Sequence, residues 1–429
     1  MSLLIRNVEI IDPLGAHSGK GDVLIENECI AAIGKTLSPE GHDTLDADGL
    51  ALAPGFIDMH AHLRDPGYEY KENIETGLRA AAKGGFTSVV CMPNTDPPVD
   101  NASTVKYIQN KAKRLSLGKL YIAGAVSKGL KGQELAEMGE MFAQGIIAVT
   151  DDGRPVSGAQ LMRRALEYSR IFGIPVMAHE EDLSLVGDGV MHEGLVSTTL
   201  GMKASPAAAE EVMVARDVVL AELTGAHLHV THLSSLRSLD IVLNAMERGL
   251  NVTFDVTPHH LTLTDEAVMT FDTATKVNPP LRSPDHVDAL VAALAKGLVP
   301  AIGTDHAPHA IHEKEDCFDD APNGIIGFES AFPVMYTDLV LSGKVELATL
   351  IKTMTAGPAR VLGLPQGRLE AGAPADLILL DLDTQWSINP DNFESLGRNC
   401  PYSGKKVRGQ VKYSFTDGRL LVKDGEIIS

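Results

Sequence analysis

Residues 55–67 read GFIDMHAHLRDPG, an apolar run that closes on His60 and His62, with Arg64 two positions further on. Alternate side chains of a β-strand share one face, so on a strand these three point the same way. Two imidazoles on one face can hold a metal ion, and a guanidinium beside them can hold an anion. A strand end with two solvated histidines has the same spacing, so the choice rests on what the rest of the chain places alongside.

Working outward, seven more runs have the same build: TSVVCMPN (87–94), LYIAGAV (120–126), GIIAVTDD (145–152), IPVMAHEE (174–181), AHLHVTHLS (226–234), NVTFDVTPHH (251–260) and PAIGTDHAPH (300–309). Helical stretches separate most of them. One is residues 205–223, where Ser205 and Pro206 suit an N-cap and the first helical position. Buried parallel strands alternating with helices imply an α/β fold, and eight of them imply a closed, TIM-like (β/α)8 barrel over residues 53–365. A doubly wound open sheet is the competing architecture, but no glycine-rich fingerprint follows the first run.

Such a barrel brings every C-terminal strand end to one rim. Here those ends carry His60 and His62, Asn94, Asp152, His179, His232, His259 or His260, and Asp305. Histidines and aspartates at the same relative position in separate units are hard to explain by packing, and the ligand types suit zinc. Residues 1–52 and 366–429 differ from the middle. They read as short strands with Gly and Asp turns, and they are expected to join into one small β-sandwich module.

Bulk properties narrow the partners. With 429 residues, 44% hydrophobic and 22% charged, the chain can build a large core. A net charge of −20 disfavours nucleic acid and anionic membranes, while leaving room for a small anion held by local arginines. Cys29, Cys91, Cys317 and Cys400 are far apart and form neither a disulfide framework nor a cysteine zinc site. The N-terminus lacks the apolar core of a signal peptide, and no apolar stretch is long enough for a membrane span. A cytoplasmic location is expected.

Taken with CMPNTDPP, TDDGRPV, MAHEED, THLSS, TPHHL, NPPLR, GTDHAPH and GRLEAGAPADLILLD, the opening motif resembles the amidohydrolase superfamily and, within it, the bacterial class I dihydroorotases. The resemblance runs nearly end to end. It implies a binuclear Zn2+ centre, two ions per subunit, and the interconversion of N-carbamoyl-L-aspartate and L-dihydroorotate in pyrimidine synthesis. Carried over by position, His60, His62 and Asp305 hold the first zinc, Asp152 bridges, and His179 with His232 hold the second. Asp305 is also the general acid–base. The resemblance places His62, Arg64, Asn94, Asn278, His309, Asn323 and Gly324 at the substrate, the last two through a loop backbone. It further implies a homodimer, with association with aspartate carbamoyltransferase as an additional partner.

Two departures stand out. Glu180 replaces a usual cysteine after His179 and is expected to bring an extra carboxylate near the second metal, although the next side chain on a strand points away. Asn323 replaces a usual phenylalanine and removes an apolar wall. From the residues alone, Asn278 suits equally a turn before Pro279-Pro280. His259, His260 and His306 are expected to support the ligands or the structure. Residues 310–323 read as a lid or a solvated loop. The rival activities are another cyclic amidohydrolase, whose metals are usually bridged by a carboxylated lysine, and a non-catalytic relative, which would be expected to have lost ligands.

Overall fold

The computed structural model describes residues 2–428. The chain begins with β1 (Ser2–Ile10), β2 (Gly19–Glu26), β3 (Cys29–Gly34), β4 (Asp43–Asp46) and β5 (Ala51–Pro54). The barrel strands follow as β6 (Phe56–Ala61), β7 (Phe86–Cys91), β8 (Lys119–Ala125), β9 (Ala148–Thr150) and β10 (Val176–Ala178). After a short outlying pair, β11 (Met191–His192) and β12 (Ala204–Ser205), come β13 (Leu228–Val230), β14 (Val252–Val256) and β15 (Ala301–Ile302). The chain ends with β16 (Leu377–Ser387), β17 (Lys406–Thr416), β18 (Arg419–Lys423) and β19 (Glu426–Ile427).

Each barrel strand pairs in parallel with its neighbour in the order β15-β14-β13-β10-β9-β8-β7-β6. The ring closes through a bridge from Ala61 to His306, where the His62 amide donates to the His306 carbonyl at 2.8 Å. Every residue of β6 and β7 is buried, as expected of strands covered on both faces. The helix Ile74–Lys83 shows how the outer layer is specified. Asn73 and Thr76 form its capping box, and Ile74, Leu78 and Ala81 face inward. Ser205 and Pro206, in contrast, do not cap a helix. Ser205 pairs with His192 in the β11–β12 bridge, and the helix begins at Ala208.

Both chain ends join one nine-stranded sheet among the described residues, in the order β19-β18-β17-β16-β5-β1-β2-β3 with β4 beside β1. Its buried face carries Ile5, Val8, Val23, Leu52, Leu377 and Phe415 in one apolar cluster. The sheet hands over to the barrel at Gly55, so residues 53 and 54 belong to the terminal sheet as part of β5. Between β16 and β17 the segment 388–405 leaves the sheet and packs over the barrel. Ile388, Cys400 and Tyr402 share a cluster there with Ile326 and Val334. No described helix is long and apolar enough to cross a membrane.

Candidate metal centre and active site

The strand-end residues converge, although most stand just beyond their strands. His60 lies inside β6 with no exposed surface, and His62 follows its last residue. The backbone amides of His60 and Thr304 both donate to Asp58 Oδ1 at 3.0 Å, which locks the end of β6 to the turn after β15. Asp151 does the same between β9 and β8, accepting from the Val126 and Ser127 amides at 2.9 Å. Asp255 accepts from the His232 amide at 2.9 Å with one oxygen and faces His229 Nε2 at 2.9 Å with the other. Asp58 and Asp255 are carboxylates inside apolar runs, and buried there they need the partners these clamps supply.

Three side chains reach the site from left-handed backbone: Arg64 (φ 60°), His232 (φ 37°) and Asp305 (φ 49°). That conformation costs an L-residue roughly 1–2 kcal/mol and persists where surrounding contacts impose it. Arg64 therefore does not share a strand face with His60 and His62. β6 ends at Ala61, and a turn carries the guanidinium back over the barrel. Its Nε donates to the Pro308 carbonyl at 3.1 Å, and Nη2 lies 3.4 Å from His309 Nε2.

Asp152 occupies the middle. Its Oδ2 lies 3.1 Å from His60 Nε2 and 3.3 Å from His62 Nε2, while Oδ1 lies 3.3 Å from His232 Nε2 and 3.5 Å from His179 Nδ1. Asp305 Oδ1 completes the first group at 3.0 Å from His62 Nε2 and 3.5 Å from His60 Nε2. His179 Nδ1 and His232 Nε2 are 3.0 Å apart. Donor atoms 2.0–2.1 Å from a tetrahedral zinc stand about 3.3 Å from one another, which is the spacing found here. Neither ring nitrogen of the buried His60 has a hydrogen-bond partner, and an ion would satisfy Nε2. The six side chains fit a metal centre with one carboxylate oxygen turned toward each half.

The electrostatics agree with that fit. Burial opposes ionisation of Asp152, yet His60, His179 and His232 hold its carboxyl well below the usual range. Burial likewise opposes ionisation of Asp305, and His60 and His62 bring it down. Burial alone would lower the histidines, but Asp152 with Asp305 holds His60 up at about 10, and Asp152 with Glu181 does the same for His179. A cation and protons compete for one set of donors.

One cavity is bordered by His62, Asp152, His179, His232 and Asp305, with His60 behind it, and also by Arg64, Asn94, Asn278, His309, Asn323 and Gly324. Asn94 Oδ1 lies 2.8 Å from His62 Nδ1 and orients that ring. Glu181, which the sequence did not mark out, lies 3.4 Å from His179 Nε2 on the side away from Asp152. Glu180 does not add a carboxylate to the centre. It is buried beside Asp217 and Arg216, where burial and Asp217 keep its carboxyl well above the usual range.

His259 and His260 are both buried outside the ligand group. His260 Nε2 faces the Pro279 carbonyl at 3.1 Å and so steadies the turn that presents Asn278. His306 accepts the Gly327 amide at Nδ1 and faces Glu72 with Nε2. Residues 310–323 are pinned. Lys71 and Glu313 pair at 2.7 Å, Lys314 Nζ donates to the Pro322 carbonyl at 2.7 Å, and Lys276 Nζ donates to the Asp319 carbonyl at 2.8 Å.

Comparison with known proteins follows the same line. The amidohydrolase family model matches residues 51–421. A dihydroorotase of Syntrophotalea carbinolica is 48% identical over 423 residues, covering 99% of each chain. Another from Geobacter sp. strain M21 is 48% identical over 426 residues, covering 99% of this chain and 100% of that one. The fold is similar to that of the L-hydantoinase (dihydropyrimidinase) of Arthrobacter aurescens, with a TM-score of 0.90 at 24% identity, covering 100% of this chain and 97% of that one.

Proposed function

Because this chain belongs to the amidohydrolase family, and its relatives at nearly half identity are dihydroorotases, we propose that it catalyses the reversible cyclisation of N-carbamoyl-L-aspartate to L-dihydroorotate, a step toward UMP. One observation carries the substrate choice. The cavity that contains the metal-fitting donors also contains a guanidinium, Arg64. Dihydroorotate has a carboxylate for that fork, which a plain hydantoin or dihydrouracil lacks. The same cavity has no lysine among its described lining residues, and Asp152 stands where a carboxylated lysine would otherwise bridge.

Two zinc ions, when bound, would polarise the amide carbonyl and make a water acidic enough to attack it. His60, His62 and Asp305 would hold one, His179 and His232 the other, with Asp152 between. The remaining chemistry is the chain's own. In hydrolysis Asp305 accepts the proton of the attacking water as the C–O bond forms, then gives it to the ring nitrogen as the C–N bond breaks. Its Oδ1 stands 3.0 Å from His62 Nε2, beside the donors that would hold the ion, which gives it the reach the proton transfer needs. In synthesis it takes the carbamoyl nitrogen's proton and returns it to the departing water. Arg64 receives the substrate carboxylate. Asn278 and the Asn323–Gly324 backbone offer donors and acceptors to the ring amides.

A spectrophotometric assay of dihydroorotate hydrolysis, with and without chelator, tests the reading together with elemental analysis. Activity that survives complete metal removal, or a wild type that prefers dihydrouracil, overturns it. The four cysteines are free, in keeping with the cytoplasmic location we assign. Sedimentation of the purified chain tests the homodimer, and sedimentation with aspartate carbamoyltransferase tests that association.

A further inference from the structure

The residues that would receive the substrate away from the metals stand on two turns. His309 follows the last barrel strand by several residues, and Asn323–Gly324 closes the pinned segment. A side chain from the far end of the chain joins them. Asn399, only 4% exposed, lies in the segment 388–405 that leaves the terminal sheet. Its Nδ2 donates to the Ala307 and Gly324 carbonyls, both at 2.9 Å, and its Oδ1 accepts from the His309 amide at 3.2 Å. Its own carbonyl accepts from the Ile326 amide at 3.0 Å. The chain presses close here, since a Cβ on Gly397 would meet Ile326 and Pro308 at 2.8 Å.

We propose that Asn399 is a positioning residue, holding His309 and the Asn323–Gly324 turn at the separation at which both reach one bound substrate. Asn399 does not border the cavity and acts only through the atoms it bonds. Two carbonyl oxygens turned toward one point repel each other unless a donor pair lies between them. The primary amide supplies both donors and still has an oxygen for the His309 amide. The two turns also touch directly, His309 Nε2 lying 2.8 Å from the Asn323 carbonyl, and Asn399 bonds the backbone of both from behind that contact. The inference rests on the dihydroorotase reading for what the cavity binds.

The isosteric Asn399→Asp keeps the acceptor for His309 and loses both donors, and Asn399→Ala loses all three bonds. Both are expected to raise KM for dihydroorotate between about tenfold and a hundredfold, with kcat within about threefold and zinc content unchanged. Tyr402→Phe, which removes the Tyr402–Thr262 hydrogen bond from the same segment, should leave KM as it was. A loss of kcat and zinc at constant KM overturns the proposal, as does an equal rise in KM for Tyr402→Phe. Hydrogen exchange of the wild-type protein decides the matter even if both Asn399 variants fail to fold. The His309 amide should be protected before substrate is added, and free exchange there overturns the proposal. A wild type inactive on dihydroorotate would sink the functional reading instead, while the exchange result would still judge the clamp.

Discussion

Arg64→Ala separates the dihydroorotase reading from its nearest rivals. The guanidinium is only partly exposed and lies against the Pro308 carbonyl and His309, beside a centre rich in carboxylates. A substrate carboxylate entering there loses water and gains a two-pronged partner. Truncating one member of a buried, hydrogen-bonded charge pair typically costs about 2–5 kcal/mol. Partial exposure of Arg64 lets water replace some of that, which places the loss near 2–3 kcal/mol, on the order of 30- to 150-fold in kcat/KM. Dihydrouracil has the same ring without the carboxylate, so its slow hydrolysis should change by less than about threefold. The assay is the ultraviolet absorbance of both substrates at saturating zinc, with metal content measured on each preparation. Equal losses on both substrates would show that Arg64 supports the metal site, and the argument from the carboxylate would fall.

Asp152→Asn should reduce zinc from two equivalents per chain to one or fewer and abolish turnover, because each oxygen faces a separate pair of histidines; two retained equivalents would refute the bridge. Reloading of stripped protein should not require bicarbonate, and a strict requirement would point to a carboxylated lysine. Asp305→Asn, reconstituted with excess zinc, should stay inactive, whereas wild-type rate at full occupancy would reduce Asp305 to a ligand. His60 and His179, held near 10 without an ion, carry protons at neutral pH that zinc must displace. Zinc affinity should therefore rise with pH between about 6 and 9, by up to roughly tenfold per unit for each ion as it displaces one proton, and a flat profile in a competing-chelator titration would contradict the assignment. Lys71→Met breaks a pair whose side chains are 14% and 20% exposed, and it should speed tryptic cleavage after Lys314 at a cost of about 1 kcal/mol or less in stability.

Much of this centre was legible in the sequence, for a topological reason. In a barrel of parallel strands the C-terminal ends must meet, so His60, Asp152, His179, His232 and Asp305 could be assigned to one rim before any contact was known. Alternation along the apolar run placed His60 and His62 together, and that rule needs only local geometry. It stopped where the strand stopped. Arg64 reaches the cavity from a left-handed turn, because contacts to Pro308 and His309, more than two hundred residues away, choose its direction. Glu180 turned from the metals because Asp217 and Arg216 of a neighbouring helix offered it a buried place. Which oxygen of Asp152 meets which histidine pair, and that Asn399 should clamp two turns of the rim, depended on packing between segments far apart in the chain. A residue's periodicity encodes the face it shares with its neighbours, while its aim beyond a strand end is decided by partners that only the folded chain brings within reach.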